Sequence, residues 1–213
     1  MLPGTENSEP KQARARATRR RLLDAAVDEL LDRGYAGLTT PGVANRAGVS
    51  RGAQQNYFPL KTTLIAAAVR HLALRQMDEL REQLAGVPRG RARIEVGLDV
   101  LFEQYSGRLF AAIVELSLAG RSDAELREVI MVEERNISRG LQEAATVIFG
   151  AGLPANSEIA SRWGTVLSAI RGLALLKLLG HPPAGVDRQW VATRPQLLEV
   201  LGQSPGRLAS HDE

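Results

Sequence analysis

The stretch TTPGVANRAGVSRGAQQNYFPLK, residues 39–61, carries the decisive pattern of this chain. It divides into two short helical words around a glycine. Thr40-Pro41 reads as an N-cap followed by proline at the first helical position, where its missing N–H costs nothing. The helix predicted from there through Ala47 turns Val43, Ala44 and Ala47 inward. Gly48 supplies a turn and Val49 a buried contact. Ser50 then caps a second helix to about Phe58, where Pro59 blocks continuation. A short helix, a glycine turn and a second capped helix form the helix-turn-helix arrangement. Ala44, Ala47 and Gly48 are small enough for the helices to cross closely, and Val43, Val49 and Ala53 fill the wedge. The second helix is then free to enter a DNA major groove.

Upstream, residues 16–33 place Leu22, Leu23, Ala26, Val27, Leu30 and Leu31 at three- and four-residue spacing, which predicts a helix closed by Gly34 at C′. Residues 1–15 read as a flexible basic arm. Downstream, helical stretches are predicted over 61–84, 91–105, 109–119, 123–149, 157–179 and 187–201, separated by Gly, Pro and Ser breaks. Nothing reads as strand. The expectation is an all-α chain of about nine helices. Residues 16–60 are expected to form a helix-turn-helix domain and 61–203 a helical effector-binding and dimerisation domain, with a frayed tail over 204–213.

Charge agrees with this division. The formal net charge is +3, with 24 acidic and 27 basic residues. The basic excess lies in the first 61 residues. There Lys11, Arg14, Arg16, Arg19, Arg20 and Arg21 form a block with no acid among them, able to attract phosphates independently of sequence. The absence of cysteine excludes disulfides, Cys-ligated zinc and thiol nucleophiles. No apolar run approaches the roughly 18 residues of a membrane helix, and the polar start lacks a secretory apolar region. A cytoplasmic protein is expected, with no membrane partner.

Other chemistry is weakly supported. Gly48-Val49-Ser50-Arg51-Gly52 matches the hydrolase elbow, but that motif needs a strand before the serine, and a helix precedes it here. His71, His181 and His211 lie far apart without metal-ligand spacing. Asn136-Ile137-Ser138 fits the glycosylation sequon without a secretory context. No catalytic residue, cofactor or metal site is expected.

Residues 22–64, LLDAAVDELLDRGYAGLTTPGVANRAGVSRGAQQNYFPLKTTL, resemble the DNA-binding domain of TetR-type (tetracycline-repressor-like) transcriptional regulators. The resemblance lies in the RGY close of helix one, Thr-Thr before helix two, Ala-Gly-Val-Ser at the turn, and Tyr-Phe-Pro-Leu-Lys after helix three. It implies that residues 50–58 are the recognition helix. Arg51, Gln54, Gln55 and Asn56 would face the groove, arginine suiting guanine and the amides adenine. Thr40, Tyr57 and Lys61 would meet backbone phosphate, with Ser50 at the helix start. One departure is clear: the family usually has Leu or Ile where this chain has Gln54, and often an aromatic at Gln55. Either Gln54 buries its stem or the recognition helix sits differently. Phe58 is read as core.

For the rest of the chain the resemblance implies a small-molecule pocket enclosed by helices four to eight. It also implies a homodimer in which the last two long helices pair with those of a second subunit. The sequence is compatible, since residues 157–179 carry a broader apolar surface than one intramolecular face needs. Phe102, Gln104, Tyr105, Phe110, Glu115, Met131, Glu134, Trp163 and Arg171 mix apolar bulk with polar groups as pockets do. Tyr105, Trp163 and Arg171 are singled out as effector contacts. The expected function is a regulator, most simply a repressor, bound to a palindromic double-stranded DNA operator and released by a small, largely apolar effector. The alternatives are a DNA-binding regulator without an effector, controlled by a partner protein or by abundance, and, remotely, a helical hydrolase.

Overall fold

The computed structural model describes the backbone of residues 9–149 and 157–202. Among these residues there is no strand, and nine helices succeed one another: α1 (Glu9–Gly37), α2 (Thr40–Arg46), α3 (Arg51–Tyr57), α4 (Lys61–Leu84), α5 (Arg91–Tyr105), α6 (Arg108–Ala119), α7 (Ala124–Phe149), α8 (Ser157–Leu178) and α9 (Pro183–Val200). The all-α fold agrees with the helical periodicity. The expected tail over 204–213 and the first eight residues of the expected arm lie outside the described residues.

Two helix starts differ from expectation by several residues. The helix α1 starts at Glu9 instead of residue 16, so the later part of the expected arm is helical. Gln12, Ala13, Arg14 and Ala15 are good helix formers, and a helix already nucleated by its buried stretch extends through them cheaply. The helix α9 starts at Pro183 instead of residue 187, because proline near a helix start gives up no intrahelical bond.

The described residues gather into two compact units. The first takes in the chain to Leu74 together with Ala111–Ile137. The unit holding α1–α3 therefore includes the start of α4 and parts of α6 and α7, elements that a boundary at residue 60 would assign elsewhere. Its core holds Leu22, Leu23, Ala26, Val27 and Leu30 of α1, Leu38, Val43 and Ala44, and Leu64, Ile65, Ala68 and Val69 of α4. Gly34 interrupts α1 at φ 66°, ψ 172°, as its reading as a C′ glycine anticipated.

The second unit comprises Arg75–Phe110 and the chain from Ser138 onward. It is organised around aromatic stacking: the Phe102 and Trp190 rings lie 4.5 Å apart and 7° from parallel. The Trp190 indole donates to Asp99 Oδ1 at 2.9 Å, and Arg194 pairs with the other oxygen of the same carboxylate. Lys177 lies near the same ring, with Nζ 4.5 Å from the Phe102 centroid and 2.7 Å from Asp187. Arg93 donates to the carbonyls of Leu84, Val87 and Val147, which satisfies the end of α4 and the loop after it. Gly97 lets α5 approach α7, since a Cβ there would stand 2.7 Å from Cγ1 of Ile148.

Candidate nucleic-acid interface

The helix-turn-helix is built by local capping. Thr39 has extended geometry (φ −128°, ψ 146°), and its Oγ1 accepts the Gly42 N–H at 3.1 Å. The N-cap is thus Thr39, one residue before the expected Thr40. Thr40 is the first helical residue, and Pro41 comes next. Two adjacent threonines offer the same side chain, and the one left in extended geometry takes the cap. Thr40 is half-buried at this helix start.

The turn is a Schellman motif. Val49 N–H donates to the Ala44 carbonyl at 3.0 Å and Gly48 N–H to the Asn45 carbonyl at 3.1 Å, with Gly48 at φ 64°. Ser50 then accepts the Ala53 N–H at 3.2 Å and caps α3. Its hydroxyl comes after a helix and a turn instead of a strand, which explains the apparent hydrolase elbow as a cap.

Helix α3 presents Arg51, Gly52, Gln55 and Asn56 to solvent, the i, i+1, i+4, i+5 positions of one face. Tyr57 is half-buried. Gln54 requires correction as a groove-facing residue: it is 5% exposed, and its Nε2 donates to the Phe58 carbonyl at 2.6 Å. Its stem takes the inward place of an apolar residue, while its amide satisfies a carbonyl left open where Pro59 ends the helix. Phe58 is core, as read. The Arg19 guanidinium lies 5.6 Å from its ring centroid, and Arg14, Arg16, Arg20 and Arg21 are exposed along α1 with no acid between them in the sequence.

Lys61 is placed at the start of α4 as expected, but its ammonium is engaged. It donates to the Tyr35 carbonyl and lies 3.9 Å from that ring's centroid. Desolvation lowers its pKa, opposed by the charge of Asp123. An ammonium has three donors, so a phosphate would share it with Tyr35.

Ion pairs between distant positions complete the frame. Glu29, 2% exposed on the inner side of α1, accepts from Arg46 Nε at 2.8 Å and lies 3.4 Å from Arg33 Nε. Arg46 Nη1 also reaches Asp32 at 2.7 Å. The Asp32 hydrogen bond is the largest influence raising the Arg46 pKa. This clamp of α2 onto α1 was missed in sequence, although an acid at position 29, three residues after Ala26 on the apolar stripe, is a signal for a buried partner. His71 Nε2 of α4 stands 3.4 Å from Asp24 Oδ1 of α1. Among the described residues no cluster of His, Asp or Glu has the form of a metal site.

The expected effector residues lie in the second unit. Arg171 Nε donates to the Tyr105 hydroxyl at 3.2 Å and lies 5.5 Å from its ring centroid. Burial raises the Tyr105 pKa against the opposing effect of Arg171. Trp163 is buried, meets Phe149 edge-on at 5.4 Å, and its indole N–H has no partner among the described residues. None of the three lines the cavity of the first unit. That cavity, about 20 Å³, lies between α4, α6 and α7 with walls from Ile65, Val69, Ile113, Leu116, Leu126 and Ile130. Glu133 also lines it, and accepts from Arg70 and from Asn136 Nδ2. Of the other pocket candidates, Met131 is exposed, Phe102 is stacked in the core, and Glu115 is committed to the backbone of Tyr35. The Glu134 side chain lies outside the described residues.

Residues 22–68 match the family model described as bacterial regulatory proteins, tetR family. An uncharacterized HTH-type transcriptional regulator of Mycobacterium tuberculosis is 30% identical over 141 residues, covering 66% of this chain and 72% of the relative. The HTH-type transcriptional regulator CymR of Pseudomonas putida is 32% identical over 166 residues, covering 78% of this chain and 81% of CymR. In fold, the chain resembles the crystal structure of the transcriptional regulator FadR from Bacillus subtilis in complex with stearoyl-CoA. The TM-score is 0.62 at 19% identity, over 85% of this chain and 96% of FadR. A capped helix-turn-helix at the matched positions, within an all-α frame shared along most of the chain, leads to one assignment: the chain belongs to the TetR family of bacterial transcriptional regulators.

Proposed function

We propose that this regulator is a ligand-responsive repressor of the cytoplasm, binding a palindromic operator as a homodimer and released by a small, largely apolar effector. The observation that carries the DNA reading is the solvent face of α3, where Arg51, Gln55 and Asn56 stand together in the unit that also holds the arginine-rich start of α1. Arg51 would read guanine, Gln55 and Asn56 adenine, and Ser50, Thr40, Tyr57 and Lys61 would hold phosphate. One such helix spans too few base pairs to select a genomic site, so two are needed, roughly 34–36 Å apart. Leu175, Leu178 and Leu179 of α8 and its succeeding turn, with Val191 and Val200 of α9, leave apolar side chains in solvent, which supports pairing with a second copy.

Effector binding draws support from FadR, a protein of the same fold whose structure holds stearoyl-CoA. In this chain Tyr105 and Arg171 would offer a phenol and a guanidinium, and Trp163 an indole donor that has no partner among the described residues. The ligand would favour a dimer whose α3 spacing misfits the operator, shifting the population and releasing DNA. The reading without an effector would leave this control to a partner protein or to abundance.

Selection of bound duplexes from a random pool, followed by footprinting, tests the proposal. A palindromic site protected by a dimer is expected. Enrichment of asymmetric sites by a monomer would overturn the dimer reading. Gel-shift titration with candidate apolar compounds then separates the two modes of control.

A further inference from the structure

The segment joining α1 to α2 is fastened by its backbone. Where Gly34 leaves helical geometry, the Tyr35 N–H loses the carbonyl four residues back. Glu115 of α6 supplies the acceptor: its Oε1 takes the Tyr35 N–H at 3.0 Å, across 80 positions of sequence. On the other side of the same residue, Lys61 of α4 donates to the Tyr35 carbonyl. Both polar backbone atoms of Tyr35 are thus bonded to side chains from two other helices. Position 34 is shaped for the same contact, because a Cβ there would stand 2.8 Å from Glu115 Oε1. The glycine therefore serves the positive φ and the space for the carboxylate together.

The link from Tyr35 to α2 is short. Leu38 N–H returns to the Gly34 carbonyl at 3.1 Å, Leu38 is buried, and Thr39 caps α2. The Schellman turn then joins α2 to α3 with few free torsions. A change in the direction of the Tyr35 peptide is consequently carried to the exposed face of α3.

We infer that Glu115 is a positioning residue for operator recognition, setting through the Tyr35 N–H the direction in which the chain leaves α1 and hence the seat of α2 and α3. The inference rests on α3 as the reading helix. Glu115 touches no base. It acts on the fit to a chosen sequence, while attraction to any duplex depends on the arginines of α1 and is left unaltered.

The test uses the full chain and its selected operator, with a random duplex of equal length at the same salt. Glu115→Ala and Glu115→Asp, the second keeping the charge but shortening the reach, should weaken operator binding about tenfold. Binding to the random duplex should change by less than about twofold. Glu115→Gln keeps an acceptor at the same reach and should stay within about threefold of wild type. Undiminished operator affinity in the Asp variant, equal losses on both duplexes, or a Gln variant as weak as Asp would overturn the inference. If the Ala variant fails to fold, the Asp and Gln variants decide. A wild-type chain that enriches no sequence defeats the operator reading itself, which is distinct from a selective wild type with an undiminished Asp variant.

Discussion

The second unit and the α2–α3 pair of the first are stabilised by different means. In the second, long helices bury a continuous apolar cluster around Phe102 and Trp190. In the first, α2 and α3 have seven residues each and bury little: Val43 and Ala44 from one, Gln54 from the other. Helices this short are unstable alone, and so little apolar area cannot fix them. Caps, a Schellman turn and the Glu29–Arg46–Asp32 clamp do so instead. The comparison teaches that the second unit should be sensitive to lost volume and the α2–α3 pair of the first to lost polar partners. The second kind of loss should register in DNA binding before it registers in unfolding.

Truncating the core should have the largest effect. Phe102→Ala removes the stacking partner of Trp190 and should cost about 3–5 kcal/mol, read as a lower urea midpoint. Operator affinity of the folded fraction should stay near wild type; a large affinity loss at full folding would erase the contrast between the units. Next, Arg46→Ala leaves the buried Glu29 carboxylate with only the longer Arg33 contact. It should lower the urea midpoint and weaken operator binding, measured by denaturation and gel shift on one preparation. Ser50→Ala removes the α3 cap for about 1 kcal/mol, and Ser50→Gly should recover most of it. Failure of glycine to recover stability would point to a different role for the hydroxyl.

Alkaline pH sharpens the comparison. Tyr35 and Tyr105 have raised pKa values, so each contributes stability that is present below pH 10, the ordinary tyrosine value, and is lost as pH rises through the folded value. The lowered pKa of Lys61 has the opposite sign: the unfolded chain holds that proton more tightly, so stability rises with pH up to about 10.5. The second unit has Tyr105 without that offset. Tyr105→Phe should therefore lose less stability than wild type between about pH 10 and 12, checked by urea midpoints across that range. The smallest effect belongs to Gln54→Leu, which restores the usual family residue. It should change stability by less than about 1.5 kcal/mol and leave the selected operator unchanged. An altered base preference would return Gln54 to the reading face.

Much of the frame was legible because its signals are local. Gly34, Gly48, Ser50 and Pro59 punctuate the chain within a few residues of what they terminate. The inward turn of Gln54 was misread as groove-facing, although its place four residues before Phe58, on the same face, was a signal for it. The identity of the cap was not legible, because Thr39 and Thr40 differ only in backbone geometry. Contacts remote in sequence had no local signature: Glu115 with Tyr35, Arg70 with Glu133, and Arg171 with Tyr105 are each brought together by packing alone. Apart from Glu133 the cavity walls are ordinary Ile, Leu, Val and Ala, which read the same whether they line a void or fill a core.

The close approach at Gly97 reaches beyond this single chain. A side chain there would meet Ile148 at 2.7 Å, so the two positions are bound to change in order. A lineage must shrink residue 148 before residue 97 can grow, and the reverse order passes through a clashing intermediate. Gly97→Ala should be harmful alone and tolerated after Ile148→Ala, a sign of historical contingency written into one interhelical distance.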